Sequence, residues 1–136
     1  MTLEAFTGKW IQSRAENFEE YLKEVGVGLM MRKAAANIKV TLTITVEGNK
    51  ITMKQESTFK NQEHIFVIGE EKEEETADGR KFRSTITLVD GKLVQKQTPI
   101  KAGDKASTIT RWVQGNELHV QMESGNVKAL RVYTKQ

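Results

Sequence analysis

The 136 residues contain no cysteine, which by inventory alone excludes a disulfide framework, a thiolate metal site and a cysteine nucleophile. Packing and hydrogen bonds must therefore hold the fold together. Long apolar runs are missing too: the longest, Val25 to Met31, is interrupted by glycines and falls far short of a membrane span. The opening Met1-Thr2-Leu3-Glu4-Ala5 lacks the basic segment, apolar stretch and small-residue cleavage site of a leader, and no Asn-x-Ser/Thr acceptor occurs. The expectation is a mature cytoplasmic protein, and the length suits one domain over residues 1–136.

Charge of one sign is not segregated. Twenty-one basic and eighteen acidic side chains leave a net +3 and are interspersed, apart from an acidic run at Glu70 to Glu75. A nucleic-acid binder should carry a basic stripe with stacking aromatics, and none is present. Histidine is scarce: His64 and His119 lie far apart, without a second ligand at metal spacing, so no metal site is expected. His119 reads as a surface strand residue and His64 as a packing residue of a cavity or rim. Neither a Gly-x-Ser-x-Gly elbow nor a phosphate-cradling glycine loop exists, and Gly26-Val27-Gly28 reads as a break between helices. Neither an enzyme nor a bound cofactor is expected.

Turn signals are abundant. Gly48-Asn49, Asp78-Gly79, Asp90-Gly91, Gly115-Asn116 and Ser124-Gly125 supply the positive φ that tight hairpins need. Between them side chains alternate with a period of two. Ile38, Val40, Leu42, Ile44 and Val46 alternate with polar neighbours, as do Phe82, Ser84, Ile86 and Leu88, and again Leu118, Val120 and Met122. Residues 17–36 depart from this rule. Asn17 is placed as an N-cap with Glu20 closing a capping box, Phe18, Leu22 and Val25 form an apolar stripe, and Gly26 stops the turn. A second helix is expected from Gly28 to Ala36, with Asn37 as its left-handed cap. The fold class is therefore all-β, an antiparallel up-and-down barrel of about ten strands with a helix-turn-helix lid. A barrel that wide encloses a cavity.

Parity then raises a question of charge. Val127, Ala129, Arg131 and Tyr133 share one face of the last strand, and Ile109, Arg111 and Val113 share one face of an earlier strand. The opposite faces carry Thr108, Thr110 and Trp112, and Lys128, Leu130 and Val132, so hydrophobicity alone leaves either side free to look inward. Arginine does not shed its proton, and burying it unpaired costs several kcal/mol by the usual effective penalty, roughly speaking. Inward arginines would need an anion, which a carboxylate supplies to the guanidinium fork, with the Tyr133 phenol as a further donor. Gln97, sharing a face with Leu93 and Gln95, would extend that network through water.

The order and spacing of several motifs resemble the intracellular fatty-acid-binding protein family, which includes the cellular retinoid carriers, over essentially the whole chain. They are Gly8-Lys9-Trp10, Asn17-Phe18-Glu19-Glu20-Tyr21, Gly26-Val27-Gly28, Ser57-Thr58-Phe59-Lys60-Asn61, Glu75-Thr76-Ala77-Asp78-Gly79-Arg80-Lys81 and Arg131-Val132-Tyr133, with Arg111 upstream. The resemblance implies a ten-stranded β-clam of the calycin type in which Arg131 and Tyr133 bind a ligand carboxylate and Arg111 contributes directly or through water. It implies Phe18 and Phe59 at the portal, and Met53, Gln55, Ser57, Ala77, Asp78, Val120 and Met122 along the cavity. Three positions depart from the family pattern: Gln12 and Lys72 stand where apolar side chains are usual, and Val40 stands where proline is frequent.

The implied function is noncovalent binding and transport of a long-chain fatty acid or similar hydrophobic carboxylate by a monomer in the cytoplasm. The alternatives are a retinoid or isoprenoid-acid carrier, and a lipid-switched adaptor that delivers ligand to a nuclear receptor. Lys23, Arg32 and Lys33 on the helical hairpin read first as solvated charge. The competing reading makes them a nuclear-import surface or a point of transient membrane contact.

Overall fold

The computed structural model describes residues 2–76 and 78–136. A 3₁₀ turn at Leu3–Phe6 leads into β1 (Gly8–Glu16), α1 (Phe18–Glu24) and α2 (Leu29–Ala36). The strands β2 (Thr41–Glu47), β3 (Lys50–Glu56), β4 (Gln62–Val67), β5 (Glu71–Glu75) and β6 (Lys81–Val89) follow. The chain ends with β7 (Lys92–Pro99), β8 (Ser107–Gln114), β9 (Glu117–Ser124) and β10 (Val127–Lys135). All ten form one antiparallel sheet in the order β4-β3-β2-β1-β10-β9-β8-β7-β6-β5, the expected meander. Pairing of β1 with β10 draws the two ends of the chain together.

Each of the five turn pairs lies at a strand reversal. Between β6 and β7, Asp90 and Gly91 adopt φ of 50° and 79°, the double positive φ whose twist matches a tight hairpin. The alternation also holds: Leu42 and Ile44 of β2, Ser84 and Ile86 of β6, and Leu118, Val120 and Met122 of β9 are buried. Leu88, at the outer end of β6, is exposed. One end of the barrel is filled with apolar side chains, including Phe6, Trp10, Ile44, Ile51 and Leu118, all fully buried. The Trp10 indole N–H donates to the Phe6 carbonyl at 3.0 Å, so its one polar atom is satisfied inside the core. Full burial of a large aliphatic or phenyl side chain contributes about 1.5–3 kcal/mol, so this plug is a substantial source of stability.

The barrel has a seam. β4 and β5 are the two ends of the strand order and share no backbone ladder among the described residues. Side chains cross it instead. Lys72 Nζ donates to the Ile65 carbonyl at 2.5 Å and lies 5.4 Å above the Phe66 ring, and Gln62 Nε2 donates to the Glu75 carbonyl at 3.2 Å. The departure at Lys72 is thereby accounted for: its stem spans the gap and its ammonium bonds a carbonyl that the sheet leaves unpaired.

The lid forms where expected, with two corrections at its ends. Asn17 does not build a capping box; it sits at φ 58°, makes no side-chain cap, and donates from Nδ2 to the Lys128 carbonyl at 2.8 Å. That bond anchors the start of α1 to β10, and a left-handed backbone is a conformation asparagine tolerates. Asn37 is not a left-handed cap, since its φ is −105°, and its side chain donates to the Lys33 carbonyl at 2.9 Å. Gly26, at φ 96°, separates the helices. Tyr21 is the buried residue of α1, and its hydroxyl donates to Ser107 Oγ at 2.9 Å. Helix α2 buries no side chain, and Leu29 and Met30 on it are 58% and 86% exposed. α1 is therefore the fixed half of the lid and α2 the loosely held half.

Tyr21→Phe is expected to lower the unfolding free energy by about 1 kcal/mol, because a buried hydrogen bond is lost and the Ser107 hydroxyl loses its partner. Urea denaturation with an unchanged slope would register this as a shift in midpoint.

Candidate functional site

The arginine parity resolves inward. Arg111 on β8 and Arg131 on β10 both register against Val120 of the intervening β9, so they lie in one row on one face of the sheet. With neighbouring strands about 4.8 Å apart, their Cα atoms are separated by roughly 10 Å. Arg111 is 8% exposed, while Arg131 is half-buried.

The two guanidinium groups border different spaces. A portal lobe of about 180 Å³ is lined by Arg131 together with Phe18, Leu22, Met31, Phe59 and other residues under the lid. An inner lobe of about 180 Å³ is lined by Arg111 together with Met53, His64, Phe66, Glu74 and Gln97. Gln55, Gln62 and Thr76 border both, which makes them adjoining parts of one interior. Together they reach the lower end of the ~300–1,000 Å³ common for small-molecule pockets.

In the portal lobe, Arg131 Nη2 donates to Gln12 Oε1 at 2.7 Å, which gives the departure at Gln12 a function: it holds the guanidinium. Register places Gln12 opposite Tyr133, and β1 bulges directly afterwards, with the Ser13 hydroxyl donating to the Val132 carbonyl at 3.0 Å. The Arg131 guanidinium carbon lies 4.4 Å over the Phe18 ring and 5.5 Å from the Tyr133 ring, so two aromatic faces enclose the cation. Arg131 Nε is buried without a hydrogen-bond partner among the described residues. An unmet buried donor on a cation costs several kcal/mol as an order of magnitude, and an incoming carboxylate would relieve that cost.

The mouth of this lobe is organised by backbone-capping side chains. Ser57 Oγ accepts from the Phe59 and Lys60 amides at 3.2 and 3.1 Å, and Asn61 Oδ1 accepts from the Ser57 amide at 3.2 Å, a tight turn that presents Phe59 at the rim. Asp78 is occupied. Arg80 Nε and Nη2 donate to its two oxygens at 2.6 and 3.1 Å, Thr76 Oγ1 donates at 2.7 Å, and Arg80 Nη1 reaches the Val25 carbonyl at 3.0 Å. Burial alone would raise the Asp78 carboxyl, but the bonds from Arg80 and Thr76 reverse this and hold it below its ordinary value. Asp78 thus holds Arg80, whose bond to the Val25 carbonyl ties the β5–β6 turn to the end of α1.

The inner lobe contains a carboxylate that the sequence reading did not single out. Glu74 Oε1 accepts from Gln95 Nε2 at 2.9 Å, from Gln97 Nε2 at 2.6 Å and from the Ser84 hydroxyl. Gln95 Oε1 in turn accepts from Arg111 Nη1 at 2.8 Å. One amide therefore joins the buried cation to the buried anion. Burial pulls the Arg111 guanidinium below its ordinary value, and the Glu74 charge is the chief influence in the opposite direction. His64, on β4 across the seam, faces Glu74 Oε2 from Nδ1 at 3.9 Å. Burial holds its imidazole below the ordinary value; Glu74 pulls the other way, and the Lys72 and Arg111 charges add to the lowering.

Of the remaining expected cavity residues, Met53, Gln55, Ser57 and Gln97 border the lobes. Tyr133, Val120 and Met122 are buried in the interior cluster beside them. Ala77 lies outside the described residues. Glu74 escaped because β5 reads Glu-Lys-Glu-Glu-Glu, with no apolar contrast to reveal parity. The Asp78-Gly79 pair misleads here: read as a two-residue turn it would set Glu75 opposite Phe82, whereas the longer connection between β5 and β6 sets Glu74 there, on the inward face.

A meander barrel with a helical cover, an interior divided between apolar walls and a polar row, and guanidinium groups turned inward defines the class of barrels that bind a ligand within themselves. The chain belongs to the lipocalin / cytosolic fatty-acid binding protein family, whose model matches residues 7–136. It is 51% identical over 136 residues to fatty acid-binding protein homolog 5 of Caenorhabditis elegans, covering all of both chains. It superimposes on apo lipid binding protein 8 of Caenorhabditis elegans with a TM-score of 0.96 at 38% identity, covering 100% of this chain and 99% of that one. The Schistosoma mansoni fatty acid binding protein in complex with arachidonic acid matches with a TM-score of 0.92 at 34% identity, covering 100% and 99%. The expected family and the β-clam are both borne out, and the family is one of carriers.

The lowered His64 value has a measurable consequence. Below pH ~6.5 the unfolded chain takes up a proton that the folded imidazole resists, so this contribution is fully present above that pH and is lost on acidification. Unfolding free energy measured between pH 7.5 and 5 should fall with pH, and His64→Ile should flatten that fall over the same interval.

Proposed function

We propose that this chain binds a long-chain fatty acid noncovalently and carries it through the cytoplasm, without catalysing a reaction on it. The observation that carries the reading is Arg131, a permanent cation with a buried and unmet N–H, bordering a space walled by Phe18, Leu22 and Met31. The ligand tail gains about 0.8 kcal/mol for each methylene removed from water, so most of the affinity resides in the tail. The head group is oriented by Arg131 and Tyr133, with Arg111 acting through water. Family membership and the arachidonate-bound schistosome relative favour a fatty acid over a retinoid or isoprenoid acid. Ligand enters between Phe18 on α1 and Phe59 on the β3–β4 turn.

A second element of the reading concerns delivery. The exposed Leu29 and Met30 on α2 adjoin Lys23, Arg32 and Lys33, a combination suited to transient contact with an anionic bilayer. Arg32 and Lys33 also serve the lid internally, through the Val27 carbonyl at 3.1 Å and the Glu19 carboxylate at 2.7 Å, which leaves Lys23 as the cleaner one to neutralise.

Arg131→Ala should weaken oleate roughly ten- to hundredfold, the range of a charged hydrogen bond. It should leave the matching alcohol nearly unchanged. Equal losses for both in a fluorescence displacement titration would remove the head-group role. Retinoic acid as competitor in the same titration separates the fatty-acid reading from the retinoid one.

A further inference from the structure

The inner lobe is more polar than an alkyl tail requires. Its walls include Met53, Phe66 and Ile109, but also Glu74, His64 and Gln97. Its charges are balanced internally, since Arg111 is linked to Glu74 through Gln95, so a second charged group on a ligand would find no net counter-charge there. Three donors converge on Glu74 Oε1. The other oxygen, Oε2, faces His64 Nδ1 at 3.9 Å, too long for a direct hydrogen bond and short enough for one oxygen atom to bond to both. Because burial disfavours its charged form, His64 offers a neutral ring, one nitrogen donating and the other accepting. Carboxylate and imidazole together ask for an uncharged group that both donates and accepts.

We infer that the inner lobe is a second polar subsite, which recognises a hydroxyl group carried partway along the chain of a fatty acid. The hydroxyl donates its one proton to Glu74 Oε2 and accepts from His64 in the tautomer that carries its hydrogen on Nδ1. This rests on the fatty-acid reading above, with the carboxylate at Arg131 in the portal lobe. Arg131 is on β10 and Glu74 on β5, at the far end of the strand order, so the hydroxyl recognised is remote from the carboxyl. Water fills the same position when the chain is unsubstituted, which limits the discrimination to that of one hydrogen bond.

The test is a titration of the whole chain with octadecanoic, 12-hydroxyoctadecanoic and 2-hydroxyoctadecanoic acids. The 12-hydroxy acid should bind about tenfold tighter than octadecanoic acid, and the 2-hydroxy acid no tighter. His64→Ile should bring the ratio of the first two close to one whatever it does to the affinity for octadecanoic acid itself, and His64→Gln, which keeps a donor and an acceptor, should retain part of the preference. Octadecanoic acid binding with equal affinities for all three acids, or a preference that survives His64→Ile, would overturn the inference, leave water as the bridging oxygen, and leave the fatty-acid reading intact. Failure of octadecanoic acid itself to bind would end both.

Discussion

A guanidinium that cannot release its proton has been placed inside a β-barrel at Arg111, and the polar interior is arranged around the need to accommodate it. A direct ion pair is not the solution adopted. Gln95 stands between Arg111 and Glu74, accepting from one and donating to the other, and Ser84 and Gln97 complete the shell of the carboxylate. Removing any one member would leave a buried charge short of a partner, which is far costlier than the modest net worth of a single hydrogen bond. The network therefore constrains β5, β6, β7 and β8 together, on the side of the barrel where β5 has only one strand neighbour.

Arg131 presents the complementary case. It is held by Gln12 and enclosed by Phe18 and Tyr133, yet its Nε is left without a partner. One cation is satisfied by the protein and the other is only partly so, an asymmetry that suits Arg131 to direct contact with a ligand and Arg111 to contact through water. Phe18 belongs to the lid, so the cation–π contact also links the state of the head-group site to the position of α1. The lid is in turn fixed by Tyr21, Asn17 and Arg80, while α2 is left with no buried side chain.

The architecture was legible wherever apolar and polar residues alternated. Leu42, Ile44, Leu118 and Met122 announced their faces, and paired turn residues such as Asp90-Gly91 announced the reversals. The resemblance resolved what parity left open, namely that the arginine face turns inward. What remained hidden was set by tertiary partners. Asn17 satisfies a carbonyl of β10 instead of the first turn of its own helix, a choice that depends on a strand more than a hundred residues away. Glu74 was lost within an acidic run whose alternation carries no change in hydrophobicity. Gln12 and Lys72 stood out as departures, but their partners, Arg131 and the Ile65 carbonyl, emerge only once the strands are registered.

The seam has a bearing on how this protein behaves at high concentration. An unpaired strand edge is a template on which another copy can add a strand, and long flat edges invite polymerisation. Here β5 is only five residues long, and Glu71, Glu73 and Glu75 are exposed along it. Two such edges approaching one another would bring like charges together before any backbone hydrogen bond could form. The acidic run that conceals Glu74 thus also guards the open margin of the sheet against self-association.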